Sequence, residues 1–228
     1  MPEPKRKDAE LTKDKFKTVI INNPEIKIDK DYWVYKEALE NDYFCKRADG
    51  PYMKGKVWPG ECNFPDYTNP AVREWWAGLF KELISEIGVK GVWNDMNEPA
   101  VMEVPGKTFP PDVRHDYDGN PCSHRKAHNI YGTQMARATY EGVKRFAYPK
   151  RPFIITRSAY SGAQRYTSSW TGDNVASWEH LWIANIQMQR MSMSGMGFTG
   201  SDIGGFAEQP SGELYARWIQ LGVFHPFC

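Results

Sequence analysis

The sequence predicts an α/β fold, an incomplete (β/α)8 TIM barrel, and three observations carry that prediction. Strand-like and helix-like segments alternate along the chain, which implies a parallel sheet with helical crossovers. Five successive strand-like segments end in polar or charged residues: Asn22 and Asn23, Asn94 and Asp95, Arg157 and Ser158, Asp173 and Asn174, Ser201 and Asp202. An open doubly wound sheet collects such residues mainly at one switch point, whereas a closed barrel collects them from every strand onto one rim. Finally, six strands can be counted in 228 residues, the sixth cut short, where a barrel of this class needs eight strands and typically about 250 residues. Residues 1–228 are therefore expected to form one partial barrel domain, holding about strand 3 to the start of strand 8.

The elements follow in order. The opening MPEPKRKDAELTKDK mixes Lys with Asp and Glu as a solvated helix face does. Residues 16–21 (FKTVII) read as a strand, and residues 41–68 as a long loop. A helix follows with an Asn69 cap, Pro70 at its first position, apolar Leu79, Phe80, Leu83, Ile84 and Ile87 at helical spacing, and Gly88 as its stop. Residues 89–93 (VKGVW) are a strand. Residues 99–125, with five prolines, form a second long loop, and loops of that length in a compact domain usually cover a site. A helix over 128–148, a strand over 151–156 and a short strand over 168–171 come next. Ser177 caps a helix over 177–193 that has Glu179 and His180 in its first turn. Residues 195–200 are a strand, 211–222 a helix, and 223–227 (VFHPF) the start of a last strand.

Composition narrows the function classes. A formal charge of +1 with 25% charged residues removes the electrostatic case for nucleic acid or an anionic membrane surface. No apolar run approaches the ~20 residues that span a bilayer, and the opening residues lack the apolar block of a secretory signal; the compartment stays open. Cys45, Cys62, Cys122 and Cys228 show no C-x-x-C spacing and read as free thiols, with a Cys45 to Cys62 pair as the alternative. Aromatics are 14%, a surplus that serves a large core or a sugar cleft.

Several stretches then resemble a known family. GVWNDMNEPAVM, RPFIITRSAYSGAQRYTSSWTGDNVASWEHL and GFTGSDIGGF, in that order, resemble the signatures of glycoside hydrolase family 31, the α-glucosidase group. VWPGECNFPDYTNPAVREWW is similar to the family's W-P-G and P-D-F-T-N-P-x-x-R-x-W-W stretch, and HRKAHNIYG resembles the glucosidase II branch and its bacterial relatives. The resemblance runs from about residue 16 to the end. It implies Asp95 as nucleophile, in W-x-D-M-N-E, and Asp173 as acid/base, in W-T-G-D-N. Trp58, Trp93, Met96, Arg157, Trp170, Asp202 and Phe206 match positions that line the family's sugar pocket. The activity implied is that of a retaining exo-α-glucosidase releasing terminal α-linked glucose from oligosaccharides by double displacement, with no cofactor and no metal. An α-xylosidase or α-transglucosidase would use the same two acids; a truncated, non-catalytic sugar-binding fragment is the alternative from another class. The family's D-I-D-Y segment would lie before Met1 and its R-x-H segment beyond Cys228. NNPEI stands where the family commonly has an Asp-Pro turn, and Lys15 replaces a usual Gly.

The chemistry explains the residue types. Retention needs two carboxyl groups about 5–5.5 Å apart, one ionised to attack and one protonated to donate, so their environments must push their pKa values apart. Arg157, ending the strand between the two acids, is expected to hold Asp95 ionised, and Trp170 to raise Asp173 by desolvation. Indole rings offer flat platforms to the C–H faces of sugars.

Plainer roles fit other residues. Glu98 reads as an anchor, Asp66 as a loop brace, Trp75, Trp76, Trp182 and Trp218 as packing, and Met188, Met191 and Met193 as helix filling. Asp202 precedes Gly204 and Gly205, so a turn role suits it too. His124 and His128 lie four apart without a third ligand cluster, and a helix start capped by Ser123 explains them without a metal. GSDIGGF lacks the spacing of a nucleotide loop. The expected partner is an oligosaccharide or α-glucoside, with no nucleic acid and no membrane; exposed barrel edges would favour self-association.

Overall fold

A computed structural model describes residues 3–228. In chain order its elements are α1 (Pro4–Lys13), β1 (Val19–Asn22), β2 (Ile26–Lys27), α2 (Trp33–Glu40), β3 (Lys54–Val57), β4 (Gly60–Asn63), α3 (Pro70–Gly78), β5 (Gly91–Asn94), β6 (Arg114–His115), β7 (Cys122–Ser123), α4 (His124–Ala147), β8 (Ile154–Thr156), β9 (Ser168–Trp170), α5 (Trp178–Met193), β10 (Thr199–Gly200) and α6 (Gly212–Gly222).

The main sheet has the order β1-β5-β8-β9-β10, with every pairing parallel. Sheet neighbours follow one another in sequence, as adjacent staves of a (β/α)8 barrel do, and the sheet is a partial barrel. Its register aligns the strand ends: Asn22 pairs with Asn94, Asn94 with Thr156, Thr156 with Ser169, and Trp170 with Gly200. The residues just past each strand therefore emerge at one level, as the polar strand ends of the sequence require. Along the β1 edge, Val19 and Ile21 stay exposed.

Several boundaries differ from the sequence reading. β1, β5, β8 and β10 begin later than their apolar runs, because a strand exists only where its neighbour supplies a ladder. The 41–68 segment is more than a loop: β3 and β4 form a hairpin there, and β2 joins it in an antiparallel sheet of order β2-β4-β3. The helix opened by Asn69 ends at Gly78, and the chain rewinds as a π-helical turn over Glu82–Ile87 before Gly88 closes it at φ 101°. Asn69 caps as expected, accepting from the Ala71 amide at 2.8 Å, and Ser177 accepts from the His180 amide at 3.1 Å. Ser123 holds the cap position of α4 but its hydroxyl makes no capping bond; loop carbonyls serve instead, with His124 N donating to Val113 O at 2.6 Å and Arg125 N to Pro111 O at 3.0 Å. The strand expected over 223–227 does not form; a single rung, Phe227 N to Thr199 O at 3.1 Å, sets the end of the chain against β10.

Two cores hold these elements. In the larger, Val72, Trp76 and Phe80 pack with Tyr67, Tyr131, Met135, Val143 and the β5 residue Val92. Tyr67 meets Trp76 edge-on at 5.1 Å and Tyr131 at 5.3 Å. The smaller joins α5 to α6 through Ala184, Leu214 and Trp218. Trp182 and Met193, read as packing residues, are 65% and 82% exposed, since they lie on the outer face of α5. All four cysteines are free, so the Cys45 to Cys62 pair does not form. No helix among the described residues is long and apolar enough to cross a membrane.

Helices α3 and α4 come into backbone contact at Gly142, where an added Cβ would sit 2.5 Å from the Ala77 carbonyl oxygen. Gly142→Ala would raise helix propensity by about 1 kcal/mol, but the clash is with backbone, and overpacking costs about 1–3 kcal/mol. The expected result is a net loss of stability, read as a lower urea midpoint at unchanged slope.

Candidate active site

The rim of the sheet gathers its charge around one residue. Asp95 is the first residue past β5, Arg157 the first past β8, Asp173 the third past β9 and Asp202 the second past β10. Arg157 Nε and Nη2 donate to the two oxygens of Glu98 at 2.9 and 3.0 Å. Its Nη2 also lies 2.9 Å from the Met96 sulfur. The remaining nitrogen, Nη1, faces Asp95 Oδ1 at 3.2 Å and Asp173 Oδ2 at 3.7 Å. Two carboxylates contributed by different strands thus share one nitrogen. Their separation cannot exceed those two contacts combined. The Asp95 contact is an ion pair rather than an aligned hydrogen bond, for Asp95 Oδ1 is buried and has no hydrogen-bond partner.

The local chain explains this convergence. Met96 is held at φ 58°, a left-handed turn that breaks strand alternation after Asp95. The amides of the same stretch turn inward. Asn97, fully buried, donates to Thr156 Oγ1 at 2.8 Å and accepts from Ser158 N at 3.0 Å, tying the end of β5 to the end of β8. Asn94 accepts from Thr139 Oγ1 at 3.2 Å, which joins it to α4. A dry strand therefore ends in polar residues because two amides brace its neighbours while two acids reach Arg157.

Burial dominates the electrostatics. It is the largest influence on Asp95 and pushes its carboxyl up; Arg157 and the Met96 amide pull down, Asp173 and Glu98 push up, and the net shift is upward. Arg157 thus acts on Asp95 in the expected direction but does not prevail over desolvation. On Arg157 itself burial opposes the charge, and Glu98, then Asp95 and Asp173, outweigh it and hold the guanidinium above its usual range. Asp202 is pushed up to about 6, by burial first and then by the charges of Asp173 and Asp95.

The other expected pocket residues divide. Trp93 and Trp170 meet edge-on at 5.2 Å and, with Asp202, Ser201 and Phe227, line a cavity of about 410 Å³ inside the strands. Met96 is buried against Arg157. Trp58 sits in the β3–β4 turn, 73% exposed, on a hairpin fastened to the 99–125 loop by Met102 N to Lys56 O at 3.0 Å. Phe206 is 67% exposed, with its amide held by Asn174 O at 2.6 Å.

Two features escaped the sequence reading. Glu25, in the NNPEI turn, accepts from Asn23 Nδ2 at 2.9 Å, leaves Oε2 buried without a partner, and is raised chiefly by burial and further by the charge of Asp95. Its only signal was that turn's departure from the Asp-Pro pattern. The other is His115, whose Nδ1 lies with Cys45 Sγ and Asp66 Oδ1 inside 4.8 Å, a buried set of metal-ligand types. Its atoms are already occupied. Asp66 accepts from His115, from Thr68 N and Oγ1, and from Asp116 N, as a loop brace should. The Cys45 thiol is held well up by burial.

The raised Asp202 gives a pH signature. Its folded value of about 6 exceeds the ~3.9 of an unfolded aspartate, so stability is fully present below pH ~3.9 and declines as pH rises through 6. Carboxyl carbon NMR should show Asp202 titrating near 6, and Asp173→Asn should lower that value by removing a neighbouring negative charge. A value near 4 in the unsubstituted chain would contradict this.

The chain matches, over residues 1–228, the glycosyl hydrolases family 31 TIM-barrel domain. It is 45% identical over 226 residues to alpha-glucosidase 2 of Bacillus thermoamyloliquefaciens, covering 99% of this chain and 28% of that protein. It is 43% identical over 229 residues to neutral alpha-glucosidase C of Homo sapiens, covering 99% of this chain and 25% of that protein. Its fold aligns with the crystal structure of a glucosidase II alpha subunit in an alpha3-Glc2-bound form at a TM-score of 0.92 and 37% identity, covering 99% of this chain and 24% of that one. A family 31 alpha-glucosidase from Bacteroides thetaiotaomicron aligns at 0.85 and 40% identity, covering 100% of this chain and 37% of that one. The chain thus spans about a quarter of the length of the curated relatives it matches. With the match running its full length and the parallel strands in barrel order, the chain belongs to glycosyl hydrolase family 31.

Proposed function

We propose that this barrel segment carries the reacting pair of a retaining, exo-acting α-glucosidase, with Asp95 as nucleophile and Asp173 as acid/base. The observation that supports it most is the sharing of Arg157 Nη1 by the two carboxylates, at 3.2 and 3.7 Å. That arrangement is compatible with the ~5–5.5 Å separation retention needs. The names of the alpha-glucosidase relatives favour an α-glucoside as substrate class.

In the first step Asp95 attacks the anomeric carbon, the bond to the leaving oxygen breaks, and Asp173 gives that oxygen its proton. In the second, water attacks the same carbon while Asp173 takes its proton, and Asp95 leaves. Two inversions restore the α configuration. The Asp173 side chain is half exposed, which suits a group that must exchange protons with water between the steps. Asp95 is only 19% exposed and sits against Arg157, which favours the anion it must become. Trp93 and Trp170, at right angles, supply apolar walls for a sugar ring.

A 5-fluoro-α-glucosyl fluoride, which slows the second step, should lose its anomeric fluoride and add one fluorohexosyl mass to the peptide holding Asp95 in the whole enzyme; label elsewhere would overturn the assignment. Arg157→Leu should move the acidic limb of the kcat/KM profile to higher pH, since Asp95 loses the cation that pulls its carboxyl down. An unmoved limb would show that Arg157 does not set the charge of the attacking acid.

A further inference from the structure

The two long segments flanking the rim meet in a row of imidazoles. His115 Nδ1 lies 2.9 Å from Asp66 Oδ1, His115 Nε2 lies 2.9 Å from His124 Nδ1, and His124 Nε2 lies 2.8 Å from His128 Nδ1. Asp66 belongs to the 41–68 segment, His115 to the 99–125 segment, and His124 and His128 to the first turns of α4. Asp66, His115 and His124 are buried, while His128 reaches solvent. The same junction is stitched by backbone: Arg114 N donates to Lys46 O at 2.7 Å and His124 N to Val113 O at 2.6 Å.

With three neutral rings and an ionised Asp66, one pattern of protons satisfies all three contacts. An ionised Asp66 must accept, so His115 donates from Nδ1 and its neutral ring accepts at Nε2. His124 then donates from Nδ1 and accepts at Nε2, and His128 donates from Nδ1. Every N–H points toward Asp66. An additional proton on His124 would turn the His128 contact around, so that Nε2 donates, and would leave a cation among the buried Phe109 and Tyr131 rings.

We propose that the Asp66, His115, His124 and His128 chain is an acid-released latch that fastens the 41–68 and 99–125 segments to the start of α4. The electrostatics agree with the geometry. Burial first, and then His115 and His128, press His124 down to about 3, with Asp66 opposing. Burial raises Asp66, yet the bonds from His115, Asp116 and Thr68 outweigh it and hold it below its usual value. Facing His124 are His115 and the Phe109 ring from the 99–125 segment and His128 and Tyr131 from α4, while Cys45 and Asp66 of the 41–68 segment face it through His115. Released, His124 regains the ~6.5 of a free imidazole. A group lowered on folding contributes stability that is complete above its free value and declines as pH falls toward its folded one, so the latch weakens from pH ~6.5 downward.

Hydrogen exchange on the full chain between pH 7.5 and 5, corrected for intrinsic exchange, tests this. Opening of the 99–125 amides should rise about tenfold per pH unit below ~6.5, and a flat profile would overturn the latch. His124→Phe, which keeps a ring against Phe109 and Tyr131, should loosen the segment at pH 7.5 and flatten the slope; an unchanged slope would refute the proposal. Should that variant not fold, long-range nitrogen–proton NMR of the unsubstituted chain decides. His115, His124 and His128 should each carry hydrogen on Nδ1 at pH 7, and His124 should stay neutral at pH 5.5. Titration of His124 near 6.5 would reject the latch.

Discussion

Three carboxylates converge on Arg157, and gathering that much negative charge around one partly buried guanidinium is tolerable only because the planar cation is divided among them. Its fork is taken by Glu98, one edge rests on the Met96 sulfur, and the remaining nitrogen is left to Asp95 and Asp173. A lysine, with one compact ammonium, has no such separable faces. Glu98 orients the guanidinium, and the guanidinium then fixes where the two aspartates can lie. Desolvation still raises Asp95 against the pull of Arg157.

The sheet register makes this convergence possible. Because Asn22, Asn94, Thr156 and Ser169 align laterally, residues distant in sequence emerge side by side. The braces around them are buried amides and hydroxyls, which hold geometry without adding charge. The buried polar atoms without partners include Glu25 Oε2, Trp93 Nε1, Asn94 Nδ2 and Asp95 Oδ1, all at or beside the ends of β1 and β5. Buried donors and acceptors are normally paired, so each of these atoms marks a place where the rim is left unsatisfied.

Much of this was legible in the sequence, because polar residues at successive strand ends and long ordered motifs are properties of the chain itself. The barrel, the caps at Asn69 and Ser177, the bracing Asp66 and the anchoring Glu98 follow from such local signals. Strand limits were not legible, since they depend on where a neighbour's ladder begins. Nor was the hairpin inside 41–68, whose KGKVWPGECN carries Gly and charge where strands usually carry β-branched residues. Trp182 looked like core because α5 has a weak division of faces, and only the placement of α6 decides which side is covered. The imidazole row was hidden because His115 lies far along the chain from Asp66.

Met96 shows how tightly the rim is specified. At φ 58° its backbone occupies a region that costs a residue with a β-carbon about 1–3 kcal/mol, a conformation in which glycine or asparagine would rest more easily. Its sulfur, however, is the soft, pliable neighbour that Arg157 leans on. Ease of bending and quality of contact pull this position toward different amino acids. Relaxing the bend with glycine would remove the sulfur, so the sharpness of the turn and the aim of the cation are set by one side chain and cannot be adjusted separately.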